Sequence, residues 1–551
     1  MTGPLLSLLN APTLLAYTSA GYWGEETLYA LARRHAQATP DTFAVRDRHR
    51  RLTYAALIKA ADRLAAHLAG QGLRAGDRVA VWLPSRIETA IALLACSRNG
   101  YVCCPSLHRD HTVAAVAALI ERMRAAAVIA APGWGADADR HDIFADLAGR
   151  GFVRWTCRVG PADAPPFADL PGEGMTTPES RDANQITYLP FTSGTTGDPK
   201  GVLHSDNTLL ATAQMMARDW RLKGATLYTL SPLSHNLGLG ALVTALCAGG
   251  ELVLHDLPRG ASLVDRLTET GAVFLFGVPT HAIDLLAEMR ARCLARLGAV
   301  RGFRISGAAA PAHLVRELME HGVVPQSGYG MTETCSHQYT LPDDPPERIA
   351  LTCGRACEGY EIRIWRPDNP DVEAAPGEIG EIGGRGASLM LGYFDDQRAT
   401  EAAFNRAGWF MTGDLGRLDE AGYLHITGRK KDVIIRGGRN IHPAPIEALA
   451  LRHEAVAQAA AFALPDPRLG ERMCLALVTR RGRTLDPQAL LEHLDRAGLS
   501  RYDMPEFLLP LAALPLTASG KVLKRELAHR VAEGQAQPIP VRFQAPAAAE
   551  G

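Results

Sequence analysis

The sequence predicts an α/β protein with a large N-terminal domain of two mainly parallel sheets, a β-rich subdomain at its end, and a small α+β C-terminal domain. Three observations support this prediction. Short apolar runs alternate with helical segments between residues 78 and 320, as is typical of parallel strands covered on both faces. Short β-like segments between many glycines follow at 348–428. A smaller β–α–β pattern then begins at residue 432.

The elements of the N-terminal domain follow from this alternation in chain order. The run RVAVWL predicts a buried strand at 78–83, and the helical pattern after it ends before Gly100. Further strands are expected at 101–104, 126–130, 226–230, 252–254, 273–276 and 303–306. Helices are expected between them at 87–97, 113–123, 239–246, 280–290 and 311–320. A stretch rich in Pro, Ala and Gly from the 160s to 177 predicts a surface loop.

The second part of the chain reads as a β-rich subdomain followed by the small domain. β-like segments are expected at 361–365, 377–382 and 423–427, then a strand at 433–435, a helix at 445–453, and strands at 457–463 and 475–479. The predicted boundaries are 1–428 for the N-terminal domain (with the subdomain at 348–428), 429–433 for a hinge and 434–533 for the C-terminal domain. Residues 534–551 are rich in Ala, Gln and Pro, which predicts a disordered tail.

Composition excludes several classes of function. The chain of 551 residues has 58 Lys+Arg against 59 Asp+Glu, so its charge gives no case for binding nucleic acid or an anionic membrane. Its apolar runs are shorter than the ~18 residues of a membrane span, which predicts no integral membrane association. The N-terminal leucine-rich stretch lacks a basic leader and is interrupted by Asn10 and Pro12, so no signal peptide is expected. Ten cysteines form no C-x-x-C pair, which predicts a cytoplasmic protein without disulfides.

The strongest local motif is the loop TSGTTGDPKG at 192–201, which follows an apolar run. Glycines allow backbone N–H groups to approach phosphate oxygens, hydroxyls add donors and a lysine adds charge. Lysine is rare here, with seven among 58 basic residues, so Lys200 and Lys521 draw attention. Lys200 is followed by Gly, so the loop is not a G-x-x-x-x-G-K-[ST] P-loop. The residues predicted to bind phosphate are Thr192, Ser193, Gly194, Thr195, Thr196 and Lys200.

Together with six further motifs in order, this loop resembles the nucleotide signature of the AMP-forming acyl/aryl-CoA synthetases, also called adenylate-forming enzymes. The other motifs span more than 300 residues with the loop, and their joint order makes the resemblance specific. They are SPLSHN (231–236), SGAA (306–309), YGMTE (329–333), WFMTGD (409–414), GRKKD (428–432) and PLTASGK (515–521).

The resemblance implies an enzyme that joins a carboxylate to the α-phosphate of ATP, expels pyrophosphate, and passes the acyl group to CoA. It implies that Lys521 bridges the carboxylate and the α-phosphate, that Thr332 contacts that phosphate, and that Glu333 ligates Mg²⁺. Asp414 and Arg429 would hold the ribose hydroxyls. The remaining nucleotide-binding residues would be Gly307, Ala308, Ala309, Tyr329 and Gly330.

The same resemblance places a hinge residue at Lys431 and a tunnel for the pantetheine arm of CoA at Gly437 and Gly438. Catalysis of this kind is mostly positioning and charge neutralisation, which is why Lys521 would be critical. Acetylation removes the charge of a lysine, so Lys521 is also a candidate substrate of a lysine acetyltransferase and deacetylase.

The acyl pocket is expected to include His235, Asn236, Gly307 and Gly330. Amino-acid-activating members hold the substrate amine with an Asp in this neighbourhood, and SHNLG at 234–238 has no acidic residue. We therefore expect a medium-chain, alicyclic or aromatic acid without an α-amino group. Three alternatives stay open: a ligase that transfers the acyl group to a carrier protein, an oxygenase that uses the adenylate as luciferases do, and a non-catalytic nucleotide-binding homologue.

Overall fold

The computed structural model describes residues 5–171, 179–192, 199–258, 260–307, 310–437, 439–517 and 521–543. The chain divides into two compact units, one of residues 1–362 and 384–410, the other of 363–383 and 411–551. No helix in the described ranges is long and apolar enough to cross a bilayer. The ten cysteines all lie in these ranges and are all free thiols.

The strands of the first unit form two sheets. They are β1 (Phe43–Arg46), β2 (Arg51–Thr53), β3 (Arg78–Trp82), β4 (Val102–Cys104), β5 (Ala125–Ala130), β6 (Trp155–Arg158), β7 (Ile186–Tyr188), β8 (His204–Ser205), β9 (Thr226–Thr229), β10 (Glu251–Leu254), β11 (Phe274–Gly277), β12 (Gly302–Ile305), β13 (Val324–Met331), β14 (Cys335–Tyr339) and β15 (Arg355–Ala356).

The nine-stranded sheet has the order β15-β14-β13-β12-β11-β9-β10-β1-β2, and the six-stranded sheet the order β6-β5-β3-β4-β7-β8. The run from β13 to β1 is parallel throughout, and so is the run from β6 to β7. Strands such as β3 and β5 are buried along their whole length, as expected for parallel strands with helices on both faces. The predicted fold class is confirmed in this unit.

The helices of the first unit cover these sheets. They are α1 (Ala11–Ser19), α2 (Leu28–Ala38), α3 (Tyr54–Gly70), α4 (Ile87–Asn99), α5 (Val113–Arg122), α6 (Ile143–Leu147), α7 (Asp206–Asp219), α8 (Asn236–Ala248), α9 (Leu263–Thr270), α10 (Pro279–Ala291), α11 (Ala312–Glu320), α12 (Pro346–Leu351) and α13 (Gln397–Ala402). Their ends follow local chemistry: Gly100 ends α4 in the left-handed conformation, and Ser205 caps α7 by accepting from the Thr208 N–H.

The second unit holds most of a five-stranded sheet and a six-stranded mixed sheet. The strands are β16 (Tyr360–Arg366), β17 (Asn369–Glu373), β18 (Gly380–Gly386), β19 (Phe410–Leu418), β20 (Leu424–Arg429), β21 (Ile434–Arg436), β22 (Arg439–Ile441), β23 (Val456–Asp466), β24 (Gly470–Thr479), β25 (Phe507–Pro510) and β26 (Ile539–Pro540). The helices are α14 (Pro443–Ala450), α15 (Pro487–Arg496) and α16 (Lys524–Ala532). A single 3₁₀ turn, Lys430–Asp432, joins β20 to β21.

Two sequence expectations differ from this arrangement. The boundary expected at 428 falls inside the second unit, because β19 pairs with β20 and both cluster with the chain that follows. The tail expected to be disordered from 534 contains β26, which pairs with β25, and Val541 and Phe543 pack against the apolar core of the six-stranded mixed sheet. These two apolar side chains dock residues 539–543, whereas Ile539 itself is exposed, and residues 544–551 of the expected tail lie outside the described residues.

Candidate active site

The parallel strands of the nine-stranded sheet end in register. Gly277 at the end of β11 lies beside Ile305 on β12, which lies beside Ser327 on β13. Ligands of open α/β sheets bind at the carboxyl ends of such strands. The predicted pocket residue Gly307 follows β12, and Gly330 is the next-to-last residue of β13. Asn236 is the first residue of α8, and its Nδ2 donates to the carbonyl of Met331 at the end of β13, at 3.3 Å. The structure therefore brings the predicted pocket residues of the first unit to one edge.

Gly330 is required by close packing at this edge. A Cβ at Gly330 would lie 2.0 Å from the Cys335 carbonyl oxygen, at the point where the antiparallel register of β13 and β14 shifts. Tyr329 beside it is buried, with its ring edge-on to His337. The backbone here therefore stays close to its neighbours and leaves the sheet edge free of a side chain.

A stacked pair of imidazoles stands at the same edge. The rings of His108 and His235 are 4.2 Å apart and nearly parallel, and His108 Nδ1 lies 3.1 Å from Ser234 Oγ. Burial, together with the neighbouring His235 and His111, lowers the pKa of His108 to about 2. His108 is therefore neutral at physiological pH. Its ring stacks on the half-buried His235 ring and holds that ring in a fixed plane.

The turn that carries Thr332 and Glu333 is fixed from behind by His204. The Nε2 atom of this fully buried histidine is 2.7 Å from the Thr332 carbonyl. A carbonyl oxygen can only accept, so Nε2 carries the proton. Burial lowers the pKa of His204 to about 4, which keeps the ring neutral.

Glu333 and Lys200 both contact the side chain of Tyr393. The Tyr393 hydroxyl donates to Glu333 Oε1 at 2.9 Å, and Lys200 Nζ lies 4.7 Å from the centre of the Tyr393 ring. The predicted metal ligand and the predicted phosphate-binding lysine thus share one buried aromatic residue.

The ends of the phosphate loop are joined by two hydrogen bonds. The Thr192 N–H donates to the Lys200 carbonyl, and the Lys200 N–H donates to Thr192 Oγ1. Of the other predicted nucleotide residues, Ser193, Gly194, Thr195, Thr196, Ala308, Ala309 and Gly438 lie outside the described residues. Gly307 follows β12 with a φ of +87°.

In the second unit Asp414 and Arg429 form an ion pair, with 2.8 Å between Oδ1 and Nε. Asp414 is buried, and its N–H donates to Thr412 Oγ1, which donates to the Ile382 carbonyl. Next to this pair, Lys430 Nζ lies 2.8 Å from Glu381. The two motifs predicted to hold the ribose therefore meet on neighbouring strands.

The other predicted residues of the second unit lie on turns. Lys431 sits in the 3₁₀ turn, where burial and the nearby Arg429 lower its pKa. Gly437 has a φ of +56° and donates to the Leu469 carbonyl, so its position already requires glycine. Lys521 closes a hairpin, because its N–H donates to Thr517 Oγ1 and its carbonyl accepts from the Thr517 N–H.

The residues present suit Mg²⁺ held together with a nucleotide. The described ranges contain no group of three or more His, Cys, Asp or Glu side chains that could hold a metal by themselves. Mg²⁺ is commonly bound by one or two carboxylates and substrate phosphates, and Glu333 supplies a carboxylate held by the Tyr393 hydroxyl. The hard oxygen donor of Glu333 fits this mode.

Three residues of the site were not predicted from the sequence: His108, His204 and Tyr393. None belongs to one of the seven motifs, and each acts through a contact with a residue distant in sequence. His204 follows the phosphate loop closely, which is the one local signal that could have drawn attention to it.

Comparisons with known proteins identify the family to which this chain belongs. The family described as AMP-binding enzyme matches residues 32–394, and its C-terminal domain matches residues 445–521. The chain belongs to the AMP-binding enzyme family, among the AMP-forming acyl- and aryl-CoA synthetases, as the resemblance predicted.

Individual relatives cover nearly the whole chain. It is 31% identical over 547 residues to a medium-chain fatty-acid–CoA ligase of Escherichia coli, covering 96% of this chain and 95% of that protein. It is 32% identical over 546 residues to a salicylyl-CoA synthase/salicylate adenylyltransferase of a Streptomyces species, covering 95% and 97%. The crystal structure of ATP-bound MatB from Rhodopseudomonas palustris matches with a TM-score of 0.81 and 28% identity, covering 92% of this chain and 99% of that one.

Proposed function

We propose that this enzyme activates a carboxylic acid with ATP, releases pyrophosphate, and then transfers the acyl group to CoA with release of AMP. The observation that carries the proposal is the pairing of Glu333 and Lys200 on Tyr393. A carboxylate suited to Mg²⁺ and a cation suited to phosphate oxygens lie together beside the phosphate loop. A carboxylate and an ammonium group placed in this way can bind the Mg²⁺ and the phosphates of a nucleoside triphosphate, and they are not needed for packing of the core.

In the first half-reaction a carboxylate oxygen attacks the α-phosphorus, and the bond from that phosphorus to the leaving pyrophosphate breaks. Two anions must approach each other, so neutralisation of charge dominates the barrier. Lys521 would neutralise the carboxylate and α-phosphate, Thr332 would donate to that phosphate, and Lys200 would bind the departing phosphates. Bound Mg²⁺ would withdraw charge from the phosphate oxygens, with Glu333 as its protein ligand.

In the second half-reaction the CoA sulfur attacks the acyl carbon, the bond from that carbon to the phosphate oxygen breaks, and AMP leaves. Gly437 and Gly438 would border the path of the pantetheine arm. Lys431 would be the residue whose backbone rotates between the two half-reactions.

The substrate class follows from the chemistry of the pocket wall. His108 is held neutral, and His235 presents a flat imidazole at the sheet edge where Gly307 and Gly330 lie. The segment 230–240 contains no carboxylate that could bind an α-ammonium group. We infer an uncharged tail or ring, as in a medium-chain, alicyclic or aromatic acid.

A pyrophosphate-release assay across chain lengths and ring acids, with and without CoA, tests this proposal. We expect AMP and pyrophosphate from the accepted acid and a thioester when CoA is present. ADP and orthophosphate would overturn the reaction type, and thioester formation on a holo-carrier protein but not on CoA would favour the carrier-loading alternative. Light emission with oxygen would favour the oxygenase, and no turnover of any acid would favour a non-catalytic homologue.

We also propose that acetylation of Lys521 switches off the first half-reaction. Two hydrogen bonds to Thr517 hold the backbone of Lys521, and acetylation would remove the one charge that the reaction needs there. Incubation with an acetyl donor and acetyltransferase, followed by mass spectrometry, should show modification with parallel loss of adenylation. An unmodified Lys521, or a modified enzyme with full activity, would contradict it.

A further inference from the structure

We infer that Tyr393 is a positioning residue that holds Glu333 and Lys200 in a fixed relation to each other. The inference rests on the proposed function for the roles of those two residues, and it assigns a task to a side chain outside the seven motifs. Tyr393 lies on a short segment, residues 388–394, that we call the strap.

The strap is hydrogen-bonded on one side to the chain leaving the phosphate loop. The Phe394 N–H donates to the Gly201 carbonyl at 2.7 Å, the Leu203 N–H donates to the Gly392 carbonyl at 3.0 Å, and the Leu391 N–H donates to the Leu203 carbonyl at 2.8 Å. Lys200 therefore directly precedes Gly201, whose carbonyl is hydrogen-bonded to the strap.

On its other side the strap is hydrogen-bonded to the turn that carries the metal ligand. The Met390 N–H donates to the Glu333 carbonyl at 2.7 Å, and Ser388 Oγ donates to the Thr334 carbonyl at 2.9 Å. The strap thus connects the two parts of the phosphate site through four main-chain hydrogen bonds and one from the Ser388 hydroxyl, and Tyr393 is the strap residue whose side chain contacts both Glu333 and Lys200.

The Tyr393 side chain is itself held firmly. It is 7% exposed, packs with Val202, Met390 and Phe410, and its N–H donates to Thr400 Oγ1 at 2.9 Å. A rigid ring can orient the Glu333 carboxylate through its hydroxyl and the Lys200 ammonium through its face. A carboxylate oxygen can only accept a hydrogen bond, so the Tyr393 hydroxyl is the donor.

Two substitutions separate the two contacts. Tyr393→Phe removes the hydroxyl that orients Glu333 and keeps the ring under Lys200. Tyr393→Leu removes both. Tyr339→Phe is the matched control, because Tyr339 is also buried and its hydroxyl donates at the same 2.9 Å to a carboxylate, that of Asp219, which has no predicted role in the site.

The readout is ATP binding by titration calorimetry, with and without Mg²⁺. We expect Tyr393→Phe to reduce the Mg²⁺-dependent gain in ATP affinity roughly 10-fold or more, the scale of one hydrogen bond to a charged group, with Mg²⁺-free binding within about 2-fold of wild type. Tyr393→Leu should in addition weaken Mg²⁺-free binding by roughly 3-fold or more, because Lys200 loses its ring. Tyr339→Phe should change neither quantity.

Several results would overturn the inference. They are an unchanged or larger Mg²⁺-dependent gain in Tyr393→Phe, equal weakening with and without Mg²⁺, and an equal effect in Tyr339→Phe. In the double variant, adding Tyr393→Phe to Glu333→Gln should not lower the Mg²⁺-dependent gain in ATP affinity below that of Glu333→Gln alone, because the hydroxyl acts through Glu333. A further 10-fold loss of that gain would show that the hydroxyl acts elsewhere. The binding assay uses no acid or CoA, so failure of the proposed reaction would appear only in the pyrophosphate assay.

Discussion

Asp414 and Arg429 lie directly opposite each other on β19 and β20 and form an ion pair across the strands, with 2.8 Å between Oδ1 and Nε. The pairing register fixes both backbones, so the guanidinium sets the orientation of the carboxylate before any ligand arrives. A carboxylate oriented in this way can accept hydrogen bonds from the two hydroxyls of a ribose, as acidic residues do at other nucleotide sites.

Asp414→Asn is expected to raise KM for ATP by roughly 10-fold to 100-fold, because an amide accepts hydrogen bonds more weakly and no longer pairs with Arg429. The measurement is pyrophosphate release over a range of ATP concentrations. Asp368→Asn is the control, since Asp368 is an exposed carboxylate paired with Arg366 in the same unit. Similar changes in both variants would show a general loss of charge and no ribose contact.

Lys521→Ala is expected to lower adenylate formation by roughly 10²-fold to 10³-fold, the scale of deleting one preorganised charge donor. It should still convert a synthetic acyl-adenylate and CoA to the thioester. Lys524→Ala serves as the control, because Lys524 lies three residues further on and pairs with Glu447 at 2.7 Å. Equal losses in both half-reactions of Lys521→Ala would contradict the assigned role.

Lys431→Pro should separate the half-reactions in the opposite way. Proline fixes φ near −65° and removes the N–H, so a residue that must rotate between two backbone conformations would be confined to one. We expect single-turnover adenylate formation near the wild-type rate and a steep loss of thioester formation. Lys431→Ala keeps the backbone free and should retain both. Equal losses in both steps of the proline variant, or none, would mean that Lys431 is not a hinge.

The sequence predicts those parts of this protein whose signal is local. Strands such as β5 and β11 are continuous runs without a polar residue, and the expected ranges 126–130 and 273–276 lie within a residue of them. β1 was not predicted, because its four residues give no pattern until they pair with β10, some 200 residues later along the chain. The motifs identify Glu333 and Lys200 separately. Their link through Tyr393, 60 residues after Glu333, forms only when the strap packs between the phosphate loop and the turn that carries Glu333, and no local pattern in the sequence indicates this.

Buried neutral histidines should make the stability of the first unit fall as pH falls below about 6.5. Burial is the main cause that lowers the pKa of His108 to about 2, His204 to about 4, His281 to about 4 and His337 to about 3. Near pH 5 the unfolded chain binds protons at all four and the folded chain binds almost none, so unfolding takes up protons and their stabilisation is lost on acidification.

Asp206 opposes this trend, because burial raises its pKa from 3.8 to about 6 and the folded state therefore holds a proton between those values. The five groups together give a net uptake of about three protons on unfolding near pH 5, each worth about 1.4 kcal/mol per pH unit. Urea unfolding between pH 5 and 7 measures this slope. His204→Gln, whose amide can still donate to the Thr332 carbonyl, should reduce it by about one proton, and Asp206→Asn should increase it by about one. A slope that neither variant changes would mean that these buried groups already titrate in the folded protein.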